Sequence, residues 1–295
     1  MLKRLFASHK YPYIPGINRP EKVEIDLSGS TLTMLMPPHS NYQGFAGKEP
    51  PERVNIYDDK QYSDDSLLPD WQREGKSHLN LFSRRWELYG PPWRTRPYGN
   101  IQFGASISRY DALPEGMSSF NPNHFEQMAI RTLWFTGPAH PDLGRFCSPI
   151  NWDLRNRESG SPWLYYEYQP DYSNDPEPPP EFMHTYRGGC LRTPLDDRYY
   201  LNMGYSYLGY APVETCLKHM NALTSKVLRS VRLELGSTAK QRLAEAKRKW
   251  PDARATKHRE PEPWIYPEWR RGDDRKGEDN VVILKPGSPP PVLTP

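Results

Sequence analysis

Between Arg198 and Leu235 the hydrophobic period changes from two residues to three and four, and the rest of the chain is organised around that switch. Tyr199, Leu201, Met203, Tyr205 and Tyr207 alternate with Tyr200, Asn202, Gly204 and Ser206, which puts the first set on one face of a β-strand. Large aromatic side chains suit a half-buried pleated surface. Pro212 follows at a position where a helix tolerates a missing N–H. From there Val213, Leu217, Met220, Leu223, Val227 and Val231 recur at helical spacing, with Cys216 and Leu228 widening the apolar stripe. Glu214 in the first turn and Arg229 and Arg232 in the last complement the helix dipole. The pattern predicts a helix over Pro212–Leu235, stopped by Gly236. A strand with one apolar face followed by a helix with one apolar stripe predicts helix packed on sheet.

The same reading elsewhere yields mainly strands. Val23–Leu27 and Leu32–Met36 flank Ser28–Gly29–Ser30 as a hairpin, and Val54–Tyr57 makes a short strand. Further strands follow at Leu79–Leu88 and Ile101–Ile107, and Ile150–Leu154 pairs with Trp163–Tyr168 across Glu158–Ser161. Asn121–Pro122 caps a helix that closes at Gly137–Pro138. Ser237 caps a last helix to Trp250, whose apolar stripe of Ala239, Leu243 and Ala246 is thin enough to predict loose docking. Strands do not alternate one-for-one with helices, so a parallel doubly wound sheet is disfavoured. The expected fold class is α+β: a mainly antiparallel sheet with two or three helices packed on it and long proline-rich loops. Thirty-three prolines in 295 residues reinforce the loops. Residues 1–250 form one such unit or two similar halves, 1–137 and 138–250, and a charged, proline-rich tail follows over 251–295.

Composition and motifs exclude more than they assign. A net charge of +3 is too small to imply a polyanion partner, and acidic residues sit close to each of the Arg84–Arg85–Trp86, Trp93–Arg96 and Trp269–Arg271 clusters. Structural packing of those arginines is favoured over nucleic-acid binding. Glycine-rich phosphate loops, zinc-protease helices and serine-nucleophile elbows have no counterpart here. Cys147, Cys190 and Cys216 include no CxxC pair, so a reducing compartment is expected, with a Cys147–Cys190 bridge as the alternative. His140, Asp142 and Cys147 match no metal-ligand spacing, and no cofactor or metal is expected. The basic N-terminus lacks the apolar core of a signal peptide, and no apolar run approaches membrane-span length, so the expected location is the cytoplasm, or the periplasm for a chain whose signal has been removed. One nucleophilic set can be drawn from His184, Cys190 and Asp196, with Cys190 in a glycine turn entering a strand. It is the basis of a hydrolase reading.

The strand Tyr199–Tyr207 and the helix ending Ser225-Lys-Val-Leu-Arg-Ser-Val-Arg232 resemble the ends of bacterial α+β immunity proteins paired with type VI secretion effectors, and of secretion-accessory proteins. That resemblance covers Tyr199–Leu233 and implies a non-catalytic protein that neutralises a secreted toxin or accompanies its secretion. The partner would be a protein, met by the acidic loops at Asp58, Asp59, Asp64 and Asp65 and at Asp175 and Glu177. A structural component of a phage or secretion particle is the third reading.

Overall fold

Strand β9 (Tyr199–Gly209) lies inside a seven-stranded antiparallel sheet, and the chain is wound about it. A computed structural model describes residues 2–40, 46–63, 76–136, 145–156, 160–171, 180–210, 212–256, 262–263, 268–269, 282–283 and 292–295. Strands β1 (Glu21–Leu27), β2 (Ser30–Met36) and β3 (Arg53–Val54) belong to a smaller sheet, and β4 (Lys76–Leu88) and β5 (Gly99–Tyr110) form a long hairpin. Helix α1 (Pro122–Thr136) then carries the chain across to β6 (Arg145–Asn156). From β6 it meanders back through β7 (Pro162–Asp171) and β8 (Arg187–Pro194) to β9, which closes against β5. The described tail adds β11 (Glu262–Pro263) to the β6 edge, giving the order β11-β6-β7-β8-β9-β5-β4. Strands from both sides of residue 137 therefore share one sheet. The fold is α+β with mainly antiparallel strands.

The expected alternation in β9 is present, but both of its faces are used. Leu201 and Met203 are fully buried in a core shared with β1, β2, β4, β5 and helix α2 (Val213–Ser230). Each such side chain contributes on the order of 2 kcal/mol of transfer free energy. On the opposite face Tyr200 is buried beneath α1, edge-on to Phe125 at 5.9 Å. Arg192 of β8 lies on this second face, its guanidinium 5.2 Å from the Tyr166 ring and its Nε donating to Asn202 at 2.8 Å. Helices α1 and α2 thus cover opposite faces of one sheet. The predicted cap of α1 forms: Asn121 Oδ1 accepts the Asn123 N–H at 2.9 Å.

Four local expectations need correction. The Arg187–Cys190 segment is no turn, because β8 begins at Arg187. Its glycines leave room for rings: a Cβ on Gly189 would stand 2.5 Å from Tyr205, and one on Gly188 about 2.0 Å from Tyr168. Helix α2 ends at Ser230, not Leu235. Ser230 Oγ accepts the Leu35 N–H at 2.9 Å, and Arg232–Glu234 leaves the helix to pair antiparallel with β2 as β10. Gly236 consequently stops nothing. It allows the chain to pass the β1–β2 turn, where a Cβ would meet the Gly29 carbonyl at 2.7 Å, and it is the N-cap of helix α3 (Ser237–Lys249), leaving Ser237 as the first helical residue. The third correction is the docking of α3. Ala239, Leu243 and Ala246 are buried against Phe120 and Leu235, and Arg242 anchors the helix through two carboxylates. The predicted Val54–Tyr57 strand is reduced to β3, which lies parallel to β1.

Candidate functional site

The small sheet and α2 cover the β4, β5 and β9 part of one face of the large sheet. Over β6, β7 and β8 the same face opens into a groove of about 1030 Å³. Its floor is set by the pleat: Asp153 and Arg155 on β6, Trp163, Tyr165 and Glu167 on β7, and Leu191 on β8 all point the same way because they sit at two-residue spacing and in register. Its wall comes from the end of α2 (Ser225, Leu228, Arg229) and from Val231 through Glu234.

Electrostatically the groove is divided. Tyr165 shares its hydroxyl with Tyr205 at 2.9 Å and donates to Glu167, whose second oxygen accepts from Asn151 at 2.7 Å. Burial, followed by the Glu167 contact, pushes the Tyr165 phenol well above its ordinary range, so it stays a neutral donor. Arg155 is held by Asp153, its Nε–Oδ1 distance being 2.8 Å, and Glu234 has Lys240 at 3.9 Å. On the wall, Arg229 and Arg232 are exposed and have no ion pair among the described residues. The arrangement offers an aromatic, hydrogen-bonding floor and a cationic wall. No described lining residue is a histidine or cysteine.

The nucleophilic set is not brought together. Cys190 lies in the middle of β8, opposite Gly204, and neither it nor Cys216 is in a disulfide, so the Cys147–Cys190 bridge is absent. His184 lies in a 3-10 turn (Glu181–Thr185) before the strand begins. Asp196 lies beyond its other end, and at ~3.3 Å per residue the run from Cys190 to Pro194 alone spans ~13 Å. Asp196 has a different task. Only 2% exposed, it accepts from Tyr57 Oη at 2.6 Å, from Arg242 Nη1 at 2.5 Å and from the Asp197 N–H at 2.6 Å. Asp197 in turn accepts from Ser118 Oγ at 2.6 Å. This knot joins the β3–β4 connection, the β5–α1 connection, the β8–β9 turn and α3.

Of the proposed acidic contacts, Asp58 is the cap of a one-turn 3-10 helix, accepting from the Lys60 N–H and from Gln61, which holds its carboxyl below the usual range. Asp59 pairs with Arg109 and remains largely exposed. Asp64, Asp65, Asp175 and Glu177 lie outside the described residues, as do His140, Asp142 and the side chain of Cys147. Among the described residues no His, Cys, Asp and Glu side chains group for metal binding. Among the described residues no helix is long and apolar enough to cross a membrane.

In the aromatic–basic clusters Arg84, Trp86 and Arg94 make structural contacts, while Trp93 is exposed. Arg84 is 3% exposed, bonded to Glu21 at 2.8 Å, Glu49 at 2.7 Å and the Pro37 carbonyl, which Trp86 Nε1 also reaches at 3.0 Å. Arg94 stacks over Tyr98. Sequence reasoning missed the groove because it joins β7 to the end of α2, far apart in the chain. The available signals were Asp153 and Glu167 at positions of the pleat shared with aromatics, and two arginines ending a helix. No protein-family model matches the chain, and no characterised protein was found to be similar to it.

Proposed function

We propose that this chain is a non-catalytic binding protein whose partner is another protein, and that it acts by neutralising a secreted effector. The observation that carries the binding reading is the open groove, where an aromatic floor meets two exposed guanidiniums that have no ion pair among the described residues, Arg232 donating only to the Arg229 and Val231 carbonyls. Tyrosine, tryptophan and arginine are the residues that dominate interface energetics. The neutralising form of the reading is supported by the resemblance of the β9–α2 ending to immunity proteins, and that support is narrower.

The test starts from tagged full-length chain used as bait in a lysate of its native host, with the captured protein identified by mass spectrometry and purified. Titrating the chain against the partner's own activity is expected to abolish that activity at equimolar ratio. A captured protein whose activity is untouched removes neutralisation. Capture of particle components alone favours the structural-component reading.

A further inference from the structure

The three residues of β10 all line the groove, although successive side chains of a strand point to opposite faces. A groove meets three consecutive residues in this way only when it approaches the strand from its edge. That edge is free: β10 is the terminal strand of the order β10-β2-β1-β3, and its one strand neighbour among the described residues is β2. Arg232 and Glu234 are exposed. The small sheet therefore stops at β10, beside the part of the large sheet that it leaves uncovered.

One more strand next to β10 would continue the small sheet over that opening. Its alternate side chains would descend onto Tyr165, Leu191 and the edge of Trp163, and the others would rise past Arg229 and Arg232. We infer that the groove takes an extended, acidic segment of the protein partner as an added strand on β10, with apolar side chains on the floor and carboxylates against Arg229 and Arg232. This rests on the reading that the chain binds a protein. Strand addition of this kind draws affinity from main-chain hydrogen bonds and specificity from alternate side chains. The floor from Trp163 to Glu167 accommodates a segment of ~5 residues at ~3.3 Å each. The acidic preference follows from the wall: Arg155 is paired with Asp153, Glu234 has Lys240 at 3.9 Å, and Glu167 keeps its charge on the floor with each oxygen engaged by Tyr165 or Asn151, whereas Arg229 and Arg232 have no ion pair among the described residues.

The test uses fluorescence anisotropy with the full chain and three labelled nonapeptides. The first alternates glutamate with leucine and phenylalanine, the second has lysine for glutamate, and the third is the first with alternate backbone amides methylated. Saturable binding of the acidic peptide is expected, with the lysine and methylated peptides each weaker by about tenfold or more. The variant R229E/R232E should lose about tenfold for the acidic peptide and gain for the lysine one. Methylation alters the ligand alone, so that arm does not depend on a variant folding. The inference fails if the acidic peptide does not bind up to about 1 mM, where even a ~4 kcal/mol interaction registers. It also fails if methylation or charge reversal leaves affinity unchanged, or if the chain self-associates through the groove. Inhibition of a captured partner alongside negative peptide results would sink strand addition alone. Positive peptide results without any inhibited partner would sink neutralisation alone.

Discussion

Replacing Asp196 by alanine should cost stability, and the knot around it sets how much. The carboxylate is 2% exposed and accepts from Tyr57, Arg242 and the Asp197 N–H, all within 2.5–2.6 Å. Hydrogen bonds to a charged group contribute ~1.5–3 kcal/mol each, though not additively. Arg242 retains Asp197 at 2.8 Å and is partly exposed, so its loss is cushioned. Tyr57 is 43% exposed, so water can take up its hydroxyl, whereas the Asp197 amide has no such replacement. A cost of ~3 kcal/mol follows, from hydrogen bonds to a charged group discounted for the exposure of Tyr57 and Arg242. Asp196→Asn should cost less, ~2 kcal/mol, because its amide keeps one acceptor but presents a donor to donors. Urea unfolding followed by tryptophan fluorescence measures both, and a double-mutant cycle with Arg242→Met should show coupling of ~1–2 kcal/mol. Asp196→Ala within ~0.5 kcal/mol of wild type would refute the assignment of Asp196 as the tie between three connections and α3, because surface substitutions alone stay in that range.

Two further outcomes follow from the packing. Gly189→Ala places a Cβ 2.5 Å from the Tyr205 ring and should lower stability by ~2 kcal/mol or more, whereas Gly204→Ala, whose Cβ meets only Cys190 Sγ and the Gly189 carbonyl at 4.0 Å, should be nearly neutral in the same melt. His124 is buried, accepts the Ser118 N–H at 3.2 Å and lies edge-on to Trp250 with Lys249 near; burial first, and Lys249 after it, hold its pKa below the ordinary value. The unfolded state then binds the proton first, so stability falls as pH drops through ~6.5 and continues to fall until the folded-state value is passed. The difference in slope between wild type and His124→Gln over pH 7.5 to 5.5 should be positive, with a ceiling of ~1.4 kcal/mol per pH unit. Equal slopes would contradict a neutral His124.

Much of this architecture is legible where the period of the side chains survives folding. The β1–β2 hairpin, β5, α1, β9 and the body of α2 stand where alternation or helical spacing placed them. The misreadings share a cause, which is that long-range contacts decided them. Glycines at 188 and 189 look like a turn until the Tyr168 and Tyr205 rings are brought against them. Arg232–Glu234 continues a helical pattern, but β2 supplies a ladder and Ser230 fastens the join to Leu35. The stripe of α3 is thin, and Arg242 adds an anchor that no apolar count registers. Candidate chemistry fared likewise: His184, Cys190 and Asp196 are near in sequence, and an extended β8 holds them apart.

Backbone hydrogen exchange, measured on the full chain with and without its captured partner, addresses the central claim most directly. Partner binding should slow exchange at Arg232–Glu234 and around Tyr165–Glu167, because an added strand would occupy the free edge of β10 and cover the floor. Unchanged exchange there, with protection appearing instead around Asp58 and Asp59, would place the interface on the acidic loop and contradict the groove.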